Sequence, residues 1–131
     1  MGYELCAAFA SKLAMPHSKV VSVGGDASFQ MHCQEIATAV EYDAPFVAVV
    51  LNDLYLGSIR NAQLKRYGST FGTEFESDVD LAEVAKAFGG QGSRITKPND
   101  LAASINDAFE SSKPTILDVR VDGSEVPSFD Y

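Results

Sequence analysis

Tryptophan is absent from this 131-residue sequence, and cysteine and histidine occur only twice each. Cys6 and Cys33 stand in apolar helical patterns with no Cys-x-x-Cys and no paired spacing, so they read as buried reduced thiols rather than a disulfide framework. His17 follows Pro16 in a polar turn. His32 sits beside Cys33 and near Glu35, but adjacent helical positions do not share a face, and no second histidine has the spacing of a zinc ligand. Basic residues are few: ten Lys and Arg against 18 Asp and Glu leave a net charge of −8, which works against nucleic acid or an anionic membrane as a partner. No apolar run approaches the ~20 residues that a membrane span requires. The start, Met1 to Cys6, has no basic segment of a signal peptide and no Ser or Thr at position 6 for a myristoylation signal, so a cytoplasmic protein is expected. Nor does any linker, repeat or low-complexity tract divide the chain. Residues 1–131 read as one domain, long enough to bury about two thirds of the surface its unfolded chain exposes.

What is present centres on Val20 to Gly57. Two apolar runs, Val20–Val23 and Phe46–Leu51, each end in small or acidic residues, Gly24-Gly25-Asp26-Ala27-Ser28 and Asn52-Asp53, with an amphipathic stretch between them. Strand, crossover helix and strand form a right-handed unit with both strands parallel. Asp26 and Asp53 then emerge side by side at the carboxyl edge of one sheet, where open α/β sheets bind ligands. Gly24 and Gly25 permit a tight turn and close approach, and the amides of Ala27, Ser28 and Phe29 open a helix whose positive end favours a phosphate. Two carboxylates beside an anion site repel the anion. A hard divalent cation resolves that conflict, because Mg²⁺ is commonly held by one or two carboxylates plus substrate phosphates. The residues point to a metal-bridged phosphate or diphosphate site.

Gly25-Asp26-Ala27-Ser28-Phe29-Gln30, then Glu35 to Ala39, Pro45, Val49 to Asp53 and Leu56 to Arg60, resemble the diphosphate-binding motif of thiamine diphosphate enzymes, Gly-Asp-Gly, a spacer and Asn-Asn. Met1-Gly2-Tyr3 through Ala14 is similar to the Met-Gly-Tyr helix of the acetolactate synthase branch, and Arg94 to Pro98 to its C-terminal part. The resemblance implies that Asp26, Asp53 and the carbonyl of Tyr55 hold Mg²⁺, and that Met1, Gly25, Ala27, Ser28, Leu56 and Gly57 join them in binding thiamine diphosphate. Met1 takes the place of the bulky residue that bends the cofactor. Two departures stand out: Ala27 replaces the second glycine, and Asp53 the second asparagine, which adds a charge. The resemblance further implies a decarboxylase or carboligase of 2-keto acids, homo-oligomeric. Its activating glutamate lies on a pyrimidine-binding domain of the same or another chain, so this segment carries no catalytic residue of its own and is inactive alone. The strand that precedes Met1 in the family is missing here, so the chain is expected to be a fragment or split subunit. Ala62 stands where acetolactate synthases carry a tryptophan, which leaves glyoxylate carboligase and other keto-acid enzymes of the branch open.

Elsewhere the pattern predicts a helix over 2–15 with Leu5, Ala8, Phe9, Leu13 and Ala14 inward, a buried strand over 19–24, and a single helix over 28–42 with Phe29, Cys33, Ile36, Ala37 and Val40 on one side. Leu54 to Gly57 is expected to close over the cofactor. A polar helix over 58–66 comes next, whose Arg60, Lys65 and Arg66 fit a solvated face as well as an anion-binding one. Further on come a loop to Ser77, a helix over 81–88 capped by Asp80, a strand over 93–96 and a helix begun by Pro98. Gly89-Gly90-Gln91-Gly92 follows a helix and precedes a strand, the reverse of a dinucleotide-binding loop, and reads as a helix C-cap. Thr115 to Val121 alternates, with Ile116, Asp118 and Arg120 on its more polar face, and is placed near the sheet's edge, with 122–131 as a tail. The fold class is a three-layer α/β/α domain with a mainly parallel sheet. Two other functions fit less of this: a non-catalytic scaffold or oligomerisation module, and a Mg²⁺-binding receiver domain with Asp53 as phosphoacceptor and Lys97 as its lysine.

Overall fold

A computed structural model describes residues 1–124, so most of the expected tail lies outside the described residues. The elements run α1 (Tyr3–Ala14), β1 (Val21–Gly25), α2 (Asp26–His32), α3 (Glu35–Glu41), β2 (Val47–Asn52), α4 (Gly57–Tyr67), α5 (Leu81–Ala87), β3 (Gln91–Ile95), α6 (Pro98–Phe109) and β4 (Thr115–Arg120). The four strands form one parallel sheet in the order β1-β2-β4-β3. Parallel strands need crossovers, and the crossovers here put helices on both faces. On one face Leu5 and Ala8 of α1, Phe29, Ile36 and Ala39 of α2 and α3, and Leu81 and Ala85 of α5 close over Ala48, Val50 and Ile116. On the other, Leu101, Ile105, Ala108 and Phe109 of α6 cover Val47, Val49, Ile95, Leu117 and Val119. This is the three-layer arrangement expected.

Several local expectations are corrected. The helix over 28–42 is two helices. The Ile36 and Ala37 amides reach back only three residues, to the carbonyls of Cys33 (3.2 Å) and Gln34 (3.0 Å), and this tightened turn rotates α3 relative to α2. Ala39 therefore becomes buried, and Ala37 is exposed. The first strand starts at Val21 and is an edge strand rather than a buried one: α6 packs chiefly on β2, β3 and β4, leaving Val21 44% and Val23 61% exposed. Leu13 and Ala14 are also exposed, in the last turn of α1.

Thr115–Arg120 is central rather than at the edge. Its polar face is a buried one, since Asp118 has no exposed surface and finds its partners inside the protein. The third strand begins at Gln91, two residues earlier than expected, because the Gln91 amide already bonds the Pro114 carbonyl at 2.9 Å.

Other expectations hold. Asp80 caps α5 by accepting the Glu83 amide at 3.0 Å, Pro98 opens α6, and Gly89, at φ 86°, ends the α5 turn in the left-handed conformation. Gly92 is needed for another reason. A Cβ there would lie 2.4 Å from the Ala82 carbonyl oxygen and 2.6 Å from its Cα, so α5 rests directly on the backbone of β3. Gly92→Ala is expected to destabilise the chain by about 3 kcal/mol, because backbone must move to admit the methyl. Urea denaturation measures this, and a loss under about 0.5 kcal/mol would contradict so close an approach.

Candidate functional site

The ends of β1 and β2 build the site. Gly25 pairs with Leu51 in the parallel register, so Asp26 and Asp53, just beyond them, leave the sheet next to each other at its carboxyl edge. Asp26 opens α2 and is only 3% exposed. Its Oδ1 accepts the Ala27 amide at 2.7 Å, and its Oδ2 crosses to the loop after β2 to accept the Leu54 amide at 3.0 Å. Asp53 turns back on its own loop, with Oδ1 accepting the Tyr55 amide at 2.9 Å. Leu54, between them, is held in the left-handed region at φ 64°, an unfavourable place for a branched side chain. The strain directs two consecutive amides at two carboxylates.

Burial pushes the Asp26 carboxyl above the ordinary carboxylate range. The Ala27 and Leu54 amides pull it down, Asp53's charge pushes it further up, and Arg120 partly offsets that. Two mutually repelling carboxylates, one buried, fit a cation that neutralises both. Among the described residues no three His, Cys, Asp or Glu side chains converge on one point, so a cation held here would have these two carboxylates at most and would need carbonyl, ligand or water oxygens to complete its shell.

Of the other expected residues, Gly25, Ala27, Tyr55, Leu56 and Gly57 flank this pair, in the turn after β1 and the loop after β2. Gly25 is exposed, and a Cβ on it would meet nothing nearer than the Leu51 carbonyl oxygen at 4.0 Å, so the turn is open. Ala27 lies within α2 and is not among the residues with positive φ, so the methyl in place of the second glycine causes no strain. Tyr55 and Leu56 form a strap with the 73–75 segment: the Leu56 amide bonds the Thr73 carbonyl (2.9 Å), and the Phe75 amide bonds the Leu54 carbonyl (2.8 Å). Gly57 opens α4, with its Cα beside Asp53; a Cβ would stand 3.5 Å from Oδ2. Met1 is 64% exposed next to Gly2, whose amide bonds Ser28 Oγ at 2.6 Å. The Ser28 hydroxyl in turn donates to Glu4 Oε2 at 2.8 Å. Of the basic group, Arg60 pairs with Glu74 at 3.3 Å and lies 4.5 Å over the Tyr55 ring, so it braces the strap. Arg66 lies over Tyr67, and Lys65 is exposed.

The sequence pattern did not reveal the polar layer beneath. Asn52, 1% exposed, donates to Asp118 Oδ1 at 2.8 Å and accepts from Arg120 at 2.9 Å. Asp118 Oδ2 takes the Leu81 amide (3.2 Å) and Arg94 Nε (2.9 Å), and Arg94 continues to Asp78. The alternation over 116–120 was the available signal. Beside this layer is a cavity of about 270 Å³, whose lining includes Asp26, Gln30, Asn52, Leu54, Phe75 and Leu81.

The model of the thiamine pyrophosphate enzyme C-terminal TPP binding domain matches residues 1–119. The chain belongs to this family. The large subunit of acetolactate synthase isozyme 3 from Escherichia coli (strain K12) is 37% identical over 129 residues, and that of acetolactate synthase from Haemophilus influenzae 38% identical over 127; each alignment covers 95% of this chain and 22% of the relative. Among solved structures, the thiamine diphosphate-dependent 4-hydroxybenzoylformate decarboxylase of Rhodococcus jostii RHA1 superposes with a TM-score of 0.86 at 26% identity, covering 93% of this chain and 23% of that one. The chain thus spans under a quarter of the length of these relatives, and the family assignment extends to the C-terminal cofactor-binding domain. The alternative of a non-catalytic scaffold is not favoured by these matches. Among the described residues no helix is long and apolar enough to cross a membrane.

Proposed function

We propose that this chain is the thiamine diphosphate- and Mg²⁺-binding domain of a larger, homo-oligomeric cytoplasmic enzyme that decarboxylates or carboligates a 2-keto acid. The observation that carries the reading is the pairing of buried Asp26 with Asp53 across the ends of two adjacent parallel strands, under a strap whose amides point at both carboxylates. Asp26, Asp53 and the Tyr55 carbonyl would hold the metal. Gly25, Ala27 and Ser28 would receive the diphosphate, with Leu56, Gly57 and Met1 lining the rest. When bound, thiamine diphosphate supplies the electron sink for breaking or forming the carbon–carbon bond next to the keto group, and the protein supplies binding and orientation. In that division of labour this chain binds and orients. The proton-handling glutamate comes from a pyrimidine-binding domain on the same or another chain, so the isolated chain turns over no 2-keto acid.

Thermal unfolding tests the reading. A carboxyl with a raised folded pKa contributes stability that is fully present below its unfolded value, 3.8, and is lost as pH rises through the folded value. The metal-free chain is therefore expected to give up stability as Asp26 ionises, and Mg²⁺ with thiamine diphosphate to restore it. At 100 times Kd the gain is about 2.7 kcal/mol, or roughly 5–10 °C in Tm, at about pH 7.5. The gain shrinks as the pH falls towards the unfolded value, where the ligand must displace a proton. A Tm near neutral pH unmoved by saturating cofactor and Mg²⁺ would contradict the proposal.

A further inference from the structure

We propose that Glu4 competes with the diphosphate for the hydroxyl of Ser28 and thereby sets how tightly the site takes its ligand; the inference rests on the function proposed above. Glu4 lies in the first turn of α1, and its Oε2 accepts the Ser28 hydroxyl at 2.8 Å. A serine hydroxyl has one proton. While that proton is given to Glu4, Ser28 has none to offer a phosphate oxygen, and one of its two lone pairs accepts the Gly2 amide at 2.6 Å.

The second oxygen of Glu4 is not at rest. Oε1 is buried without a hydrogen-bond partner, and the side chain lies flat on Gly24, where a Cβ would stand 2.4 Å from Cγ and 2.5 Å from Oε1. Gly24 precedes Asp26 by two residues and Ser28 follows it by two, so the Glu4 carboxylate bridges both flanks of the turn that carries Asp26. It is not a third metal ligand, because no three acidic, histidine or cysteine side chains converge among the described residues. The result is a fixed negative charge on the group that would receive a diphosphate. Like charges at this range oppose binding, and salt weakens the opposition.

The test compares this chain with Glu4→Gln, which keeps the length and removes the charge, and with Glu4→Ala, which removes both. Thiamine diphosphate is titrated in excess Mg²⁺ at low and high ionic strength. Both variants are expected to bind about tenfold tighter at low salt, with the gap closing as salt rises. A purely structural role for Glu4 would lower the variants' Tm and leave affinity unchanged or weaker. Binding by the unaltered chain with no gain in either variant would overturn the inference and leave the proposed function standing. Failure of all three folded chains to bind would overturn both.

Discussion

Replacing Asp118 by alanine is expected to destabilise the chain by about 3 kcal/mol, a large share of the roughly 5–15 kcal/mol that holds a domain folded. Asp118 is fully buried, and three groups depend on it: the Asn52 amide, the Leu81 backbone amide and the Arg94 guanidinium. Truncation leaves the first two buried without an acceptor, at about 1–3 kcal/mol each when nothing relaxes. Arg94 loses less, since it keeps Asp78 and the Val79 carbonyl. That places the expected cost near the lower end of the range for breaking a buried ion pair. Thermal unfolding would show a fall of roughly 10 °C or more. A loss under about 1 kcal/mol would mean that the network is solvated and carries little of the fold.

Asp26→Ala is expected to weaken thiamine diphosphate binding in Mg²⁺ by more than about 100-fold, equivalent to roughly 2.7 kcal/mol. The variant removes the more deeply buried of the two carboxylates proposed to hold the metal and frees the Leu54 amide, which Asp26 holds. Its effect on folding is smaller because two contributions oppose each other. The Ala27 and Leu54 amides lose an acceptor, while a buried charge beside Asp53 disappears. Equilibrium dialysis reads the affinity and circular dichroism the fold. A folded Asp26→Ala chain that binds within about threefold of the original would remove Asp26 from the metal's ligands.

The parts of the architecture that were legible in the sequence are those set by local pattern. The continuous apolar run to Leu51 marks a parallel strand, and Asp80 and Pro98 mark helix starts. Errors arose where a residue's partner is remote in sequence. Asp118 and Asn52 are 66 positions apart, so an acid inside an alternating strand looked like a solvent face when it is the centre of a buried network. Val21 and Val23 erred in the opposite sense. Their apolar character suggested burial, but which strands a helix covers is decided by topology, and α6 packs chiefly on the other three strands. The helix break at Cys33-Gln34 left no proline or glycine to announce it. At the site, Asp26 and Asp53 could be paired from their strands alone, whereas Glu4's hold on Ser28 depends on α1 folding back over β1, a tertiary fact.

The most direct measurement is calorimetric titration of thiamine diphosphate into this chain, once with Mg²⁺ and once with a chelator. The two-carboxylate geometry predicts saturable one-to-one binding with Mg²⁺ and loss of that binding in chelator. Equal binding in both conditions, or no binding by a folded chain in Mg²⁺, would contradict the assignment of Asp26 and Asp53 to a metal-bridged diphosphate.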